Sequence, residues 1–157
     1  MRLVSAALAA MLSGCGGGLE WYAPPPQMPG PPRLAPAVSM NDPAAPAHIV
    51  SGIGKLENDR HRWTEARAVL RFELPVAREL KFEALLGVSD VTFPKTGPVT
   101  VVFRANGAEF SRIRYDSAGE RRHEAAVPDA ALRTGVNEVA IEVDKPPLVL
   151  LRAGFVE

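Results

Sequence analysis

Apolar and polar residues alternate along most of the chain beyond its first third. Ala66, Ala68, Leu70, Phe72 and Leu74 alternate with Arg67, Arg71 and Glu73, the two-residue period of a strand that buries one face. Trp63 opens this run and Pro75 closes it. Leu80, Phe82, Ala84 and Leu86 alternate in turn with Glu79, Lys81, Glu83 and Leu85. Those residue types also suit a helix stopped by Gly87, but unbroken alternation between strand-like neighbours favours a strand. Val99, Val101 and Phe103 lead to Asn106-Gly107, and His123, Ala125 and Val127 run up to Pro128. Val139 to Val143 and Val149 to Phe155 supply the last strands, and His48 to Gly54 forms a short opener broken by glycines. About eight short antiparallel strands between Gly, Pro, Asn and Asp turns predict an all-β sandwich or barrel. There is no βαβ alternation and no internal repeat.

Asn106-Gly107 is a strong hairpin signal, and two registers compete around it. A two-residue turn pairs Val101 with Arg112 and Val99 with Arg114, which drives arginines into the core. A three-residue loop with Gly107 left-handed pairs Val101 with Ser111 and Val99 with Ile113. That register keeps Ile113 and Tyr115 inside and turns Arg112 and Arg114 out, so it is the one expected. It places Phe110 beside Val102 on the outer face.

Three stretches carry a resemblance. Phe103-Arg104-Ala105-Asn106-Gly107-Ala108-Glu109 resembles the hairpin of galactose-binding-like jelly rolls. Leu132 to Val143 is similar to their Leu-x-x-Gly-x-Asn turn and following strand, and Ala68 to Pro75 to an earlier strand ending in Leu-Pro. The order of the three matches. The resemblance implies a jelly-roll β-sandwich, a fold that accompanies glycosidases and envelope proteins, sometimes binding sugar and sometimes only packing against neighbours.

The first fifteen residues change the picture of where this domain sits. Arg2 precedes an apolar run from Leu3 to Leu12, too short for the roughly 20 residues of a membrane span and matched to a secretory signal. Leu12-Ser13-Gly14-Cys15 resembles the lipobox of bacterial lipoproteins, and Cys15 is the only cysteine. The resemblance implies cleavage before Cys15 and covalent lipid on it, palmitate among the acyl chains. One chain anchors only marginally and two or three anchor stably. It also implies the cell envelope, with the outer membrane favoured in a Gram-negative source because Gly16 is not the aspartate linked to inner-membrane retention.

Residues 16–47 hold nine of the fifteen prolines and only three charged residues, Glu20, Arg33 and Asp42. Such a composition predicts a disordered, partly PPII tether. The expected organisation is therefore residues 1–14 signal peptide, 15–47 lipidated cysteine and tether, and 48–157 sandwich. Trp21 and Tyr22 within the tether suit a membrane interface or a docking contact.

Charge narrows the partners. The chain has 18 basic and 18 acidic residues and no basic tract, so nucleic acid has no electrostatic footprint. Catalytic patterns are missing: no Gly-x-Ser-x-Gly, and His48, His61 and His123 scattered without ligand spacing. The expectation is a non-enzyme without a cofactor other than lipid, meeting the membrane through its anchor and an envelope protein or glycan through its domain. Glu57, Asn58 and Asp59 offer oxygen ligands for a structural calcium, though Arg60 and Arg62 oppose an ion and a solvated loop explains the run as well.

Two candidate surfaces remain. Trp63 could stack on a sugar with Arg62 and Glu65 reading hydroxyls, or could lid the core. Phe110 with Arg112 and Arg114 could form an apolar spot in a basic frame for a protein or an acidic glycan, or could lie half covered at a sheet edge. Aromatic residues make up only 6% of the chain, few for a dedicated carbohydrate-binding surface.

Overall fold

The computed structural model describes Gly30 and residues 34–157. Residues 12–15, Trp21 and Tyr22 lie outside the described residues. Nine strands form: β1 Ala37–Ser39, β2 Ile49–Glu57, β3 His61–Leu74, β4 Lys81–Val88, β5 Val99–Ala105, β6 Ala108–Tyr115, β7 Gly119–Ala126, β8 Gly135–Val143 and β9 Val149–Val156. Two single-turn helices, α1 Ala45–His48 and α2 Phe93–Thr96, interrupt them. All pairings are antiparallel, and β2-β3-β8-β5-β6 and β1-β9-β4-β7 make the two layers of a jelly-roll sandwich.

The long strand β3 joins the layers. Its Arg67–Leu74 half pairs with β8, while Arg62 and Trp63 pair with β9. Aromatic rings fill the space between: Phe72 of β3 lies 6.1 Å from Phe82 of β4 and 5.7 Å from Phe155 of β9, and Phe82 lies 6.1 Å from Phe103 of β5. These edge-on and tilted rings bury large apolar areas from both layers at once. The expected strand forms from Lys81 to Val88, with Glu79 and Leu80 in the approach to it; β4 lies between β9 and β7, so nearly all of it is buried.

The alternation of β3 breaks where it changes layer. Ala68, Leu70, Phe72 and Leu74 point into the core, but Ala66, expected inside with them, is exposed and Thr64 is buried. Thr64 instead bonds Leu148 twice, donating its N–H to the carbonyl at 2.8 Å and accepting the Leu148 N–H on Oγ1 at 3.2 Å. From Ala68 to Leu74 the even positions of β3 stay buried, with Val69 on the other face buried as well.

The boundary expected at His48 falls inside the sandwich. β1 pairs with β9, the Met40 N–H donates to the Leu151 carbonyl at 2.7 Å, and Val38, Met40 and Ala45 are buried in the core. Proline-rich composition masked this segment, because its few apolar residues gain their burial from a distant strand.

The β5–β6 hairpin also departs from expectation. Ala105 pairs with Ala108 across a two-residue turn, with Asn106 at φ 47° and Gly107 at φ 91°. A bulge between Phe103/Ser111 and Arg104/Glu109 then adds one residue to β6. Val101 consequently faces Ile113 and Val99 faces Tyr115, with Arg112 and Arg114 turned out. The shorter turn is used, and the bulge removes the penalty that argued against it.

Candidate functional site

A cleft of about 380 Å³ opens at one end of the sandwich. Its floor is one row of paired residues across four strands: Trp63 opposite Val149, Val149 opposite Gly87, and Gly87 opposite Glu120. Antiparallel partners share a face, so these four positions lie side by side over three inter-strand gaps, about 14 Å. Gly87 is the low point: a Cβ there would come within 3.2 Å of the Val149 Cβ and 3.3 Å of the Glu120 Cγ.

The walls come from turns. Asn58 and Asp59, at φ 51° and 50°, form a tight turn closed by the Arg60 N–H donating to the Glu57 carbonyl at 3.1 Å. That turn brings Arg60 across to Glu120, where Nη2 donates to Oε2 at 2.7 Å. His61 stands edge-on to Trp63 at 5.6 Å and 88°. The Trp63 indole N–H donates to the Glu57 carboxylate at 2.8 Å, which fixes the ring. Ser89 and Asp90, just beyond β4, complete the lining. The arrangement presents aromatic surface at one end and a carboxylate–guanidinium pair at the other.

Of the residues singled out in the sequence, only Trp63 lines this cleft. Arg62 points the opposite way, donating to the carbonyls of Met40 and Gly54 at 3.1 Å each. Glu65 is exposed on β3 and is not among the residues lining the cleft. Phe110 is not on the outer face: it sits 5.8 Å from Phe82 and 6.1 Å from Phe103, as part of the core's edge. The β6 bulge turns it inward, so the apolar spot in a basic frame does not exist. Arg112 chelates Glu109, with Nε and Nη2 each 3.1 Å from a carboxylate oxygen, and Arg114 donates to Asp116 at 2.8 Å.

Glu57, Asn58 and Asp59 sit together in the β2–β3 turn. One Glu57 carboxylate oxygen accepts the Trp63 indole N–H, and among the described residues no group of three or more His, Cys, Asp or Glu is placed to hold a metal. Arg60, His61, Gly87, Ser89, Asp90 and Glu120 were not legible as a site. They come from separate stretches of chain, and only the polar run at residues 57–65 hinted at one wall.

Other polar groups serve the framework. On the outer face of the β3-β8-β5-β6 layer, Glu142 accepts from Arg67 at 3.3 Å and Arg104 at 3.0 Å, and Arg104 reaches Glu109 at 3.0 Å. The Arg104 hydrogen bond holds the Glu142 carboxyl below its ordinary pKa. His123 bonds Ser111 Oγ at 2.9 Å and stacks on Phe103 at 4.8 Å; burial lowers its pKa.

No family model matches the chain, and no curated protein matches it. Solved structures do. A family 6 carbohydrate-binding module superposes with TM-score 0.50 at 11% identity, over 82% of this chain and 99% of that one. The carbohydrate-binding module CBM36 in complex with calcium and xylotriose gives TM-score 0.47 at 11% identity, over 76% and 98%. A module from Cellvibrio mixtus lichenase 5A in complex with cellotriose gives 0.45 at 12%, over 79% and 98%. At such identity the family 6 likeness concerns the fold.

Proposed function

We propose that the chain is a lipid-anchored protein of the bacterial cell envelope whose sandwich domain binds carbohydrate, without catalysis of its own, in the Trp63 cleft. The observation that carries the sugar reading is the row Trp63–Val149–Gly87–Glu120. Sugar rings offer apolar C–H faces that pack on an indole and hydroxyls that bond a carboxylate or guanidinium. The fold shared with a family 6 carbohydrate-binding module supports the same class of ligand. A groove crossing four strands suits a run of linked sugars better than a free monosaccharide. The anchor rests on the sequence, on Leu12-Ser13-Gly14-Cys15 and the apolar run before it.

The test is a glycan array probed with the full chain and with Trp63→Ala. Binding that falls at least tenfold in the variant, with an unchanged far-ultraviolet spectrum, is expected. No glycan bound at millimolar concentration sinks the sugar reading. Cys15→Ser is expected to shift the protein from the membrane to the soluble fraction; retention in the membrane refutes the anchor.

A further inference from the structure

The N-terminal arm, residues 34–39, is the route by which the preceding chain enters the sandwich, and one buried histidine holds its entry. His48 ends α1 and is almost wholly buried, with its ring 5.4 Å from Phe72. Its Nδ1 lies 2.9 Å from the Arg71 carbonyl, and the Ala35 N–H approaches its Nε2 at 3.3 Å. A carbonyl only accepts and an amide N–H only donates. These two partners therefore fix a neutral ring that donates from Nδ1 and accepts at Nε2. Next to Ala35, the Pro36 carbonyl accepts the Phe155 N–H at 2.8 Å, and Pro36 lines an apolar pocket with Leu74, Leu80 and Phe155.

We propose that His48 is a proton-operated latch on this arm: protonation at Nε2 places two N–H donors against each other, breaks the bond to Ala35 and frees residues 34–36 from the sandwich. The two donors repel, and the charge falls on a ring whose side chain is almost wholly buried. Release of Pro36 opens the pocket over Leu74 and Phe155 and lengthens the link between the domain and the preceding chain.

The charged groups facing the ring are Asp42, in the turn between β1 and α1, and Arg71 on β3. Arg71 is itself occupied, its Nε donating to the Ala47 carbonyl at 2.8 Å. Burial, the largest influence on His48, moves its pKa below the ordinary histidine value, and the Arg71 carbonyl and Asp42 act against it. The latch is therefore closed at neutral pH and opens on acidification.

Amide hydrogen exchange on the full chain tests this, with rates corrected for the intrinsic effect of pH. Between about pH 7.5 and about pH 5, protection at Ala35 and Phe155 is expected to fall about tenfold per pH unit once His48 titrates, while β8 amides hold theirs. In His48→Phe, which keeps a ring on Phe72 but has no proton to gain, the arm is expected to exchange at the same rate at both pH values. Unchanged arm protection on acidification overturns the latch, as does an equal loss in the variant. If the variant does not fold, nitrogen chemical shifts of His48 in the native chain decide: a ring protonated at Nε2 at neutral pH refutes it.

Discussion

The Asn106 side-chain amide donates to the Asn137 Oδ1 at 2.8 Å, joining the tip of the β5–β6 hairpin to the start of β8. Asn106 also donates to the Ala131 carbonyl at 2.9 Å and accepts the Glu138 N–H at 3.0 Å. Asn137 is fully buried; its Oδ1 accepts the Arg133 N–H, and its Nδ2 donates to the carbonyls of Arg133 and Gly135. The two asparagines that carried a resemblance in the sequence are thus one clasp.

Asn137→Ala removes that clasp and leaves the part-buried Arg133 N–H and the Arg133 and Gly135 carbonyls without their side-chain partner. Stability is expected to drop by about 2–4 kcal/mol, measured as a lower urea midpoint with an unchanged slope.

Gly87→Ala tests the cleft floor. The added Cβ meets Val149 and Glu120 at 3.2 and 3.3 Å, so the groove loses its lowest point. A methyl group in a pocket changes discrimination by about tenfold or more. Glycan affinity is expected to fall about that far, with little change in melting temperature, by calorimetric titration of a glycan identified on the array.

Glu142→Gln breaks the ladder between Arg67 and Arg104. Ion pairs at a half-exposed face contribute little singly and more as a network, so a loss of about 1 kcal/mol is expected at low salt. The difference should shrink in about 1 M NaCl, where the Debye length is about 3 Å. With its pKa depressed by Arg104, Glu142 contributes stability that is present above the ordinary carboxylate range and lost as pH falls through the folded value.

His123 makes stability fall on the acid side for a different reason. Burial lowers its folded pKa, so the unfolded chain binds the proton first and stability rises with pH. The contribution is constant above about pH 6.5 and is lost as pH drops from there towards the folded value. His123→Asn is expected to flatten the pH dependence of the urea midpoint in that window, leaving the part due to His48.

Alternation and turn chemistry were local, so the sequence by itself determined the all-β class, the existence of the strand β4 and the hairpin at Asn106-Gly107. It also determined which face of β6 carries Ile113 and Tyr115, since burying Arg112 and Arg114 is costly in any register. Only the tertiary structure decided how that face was reached, through the bulge that turned Phe110 inward. It alone brought Val38, Met40 and Ala45 into the core, because β1 is a strand only beside β9. The Trp63 cleft belongs to the same category. Its row crosses strands from four separate stretches of the chain, and a pairing across strands leaves no periodic trace along any one of them.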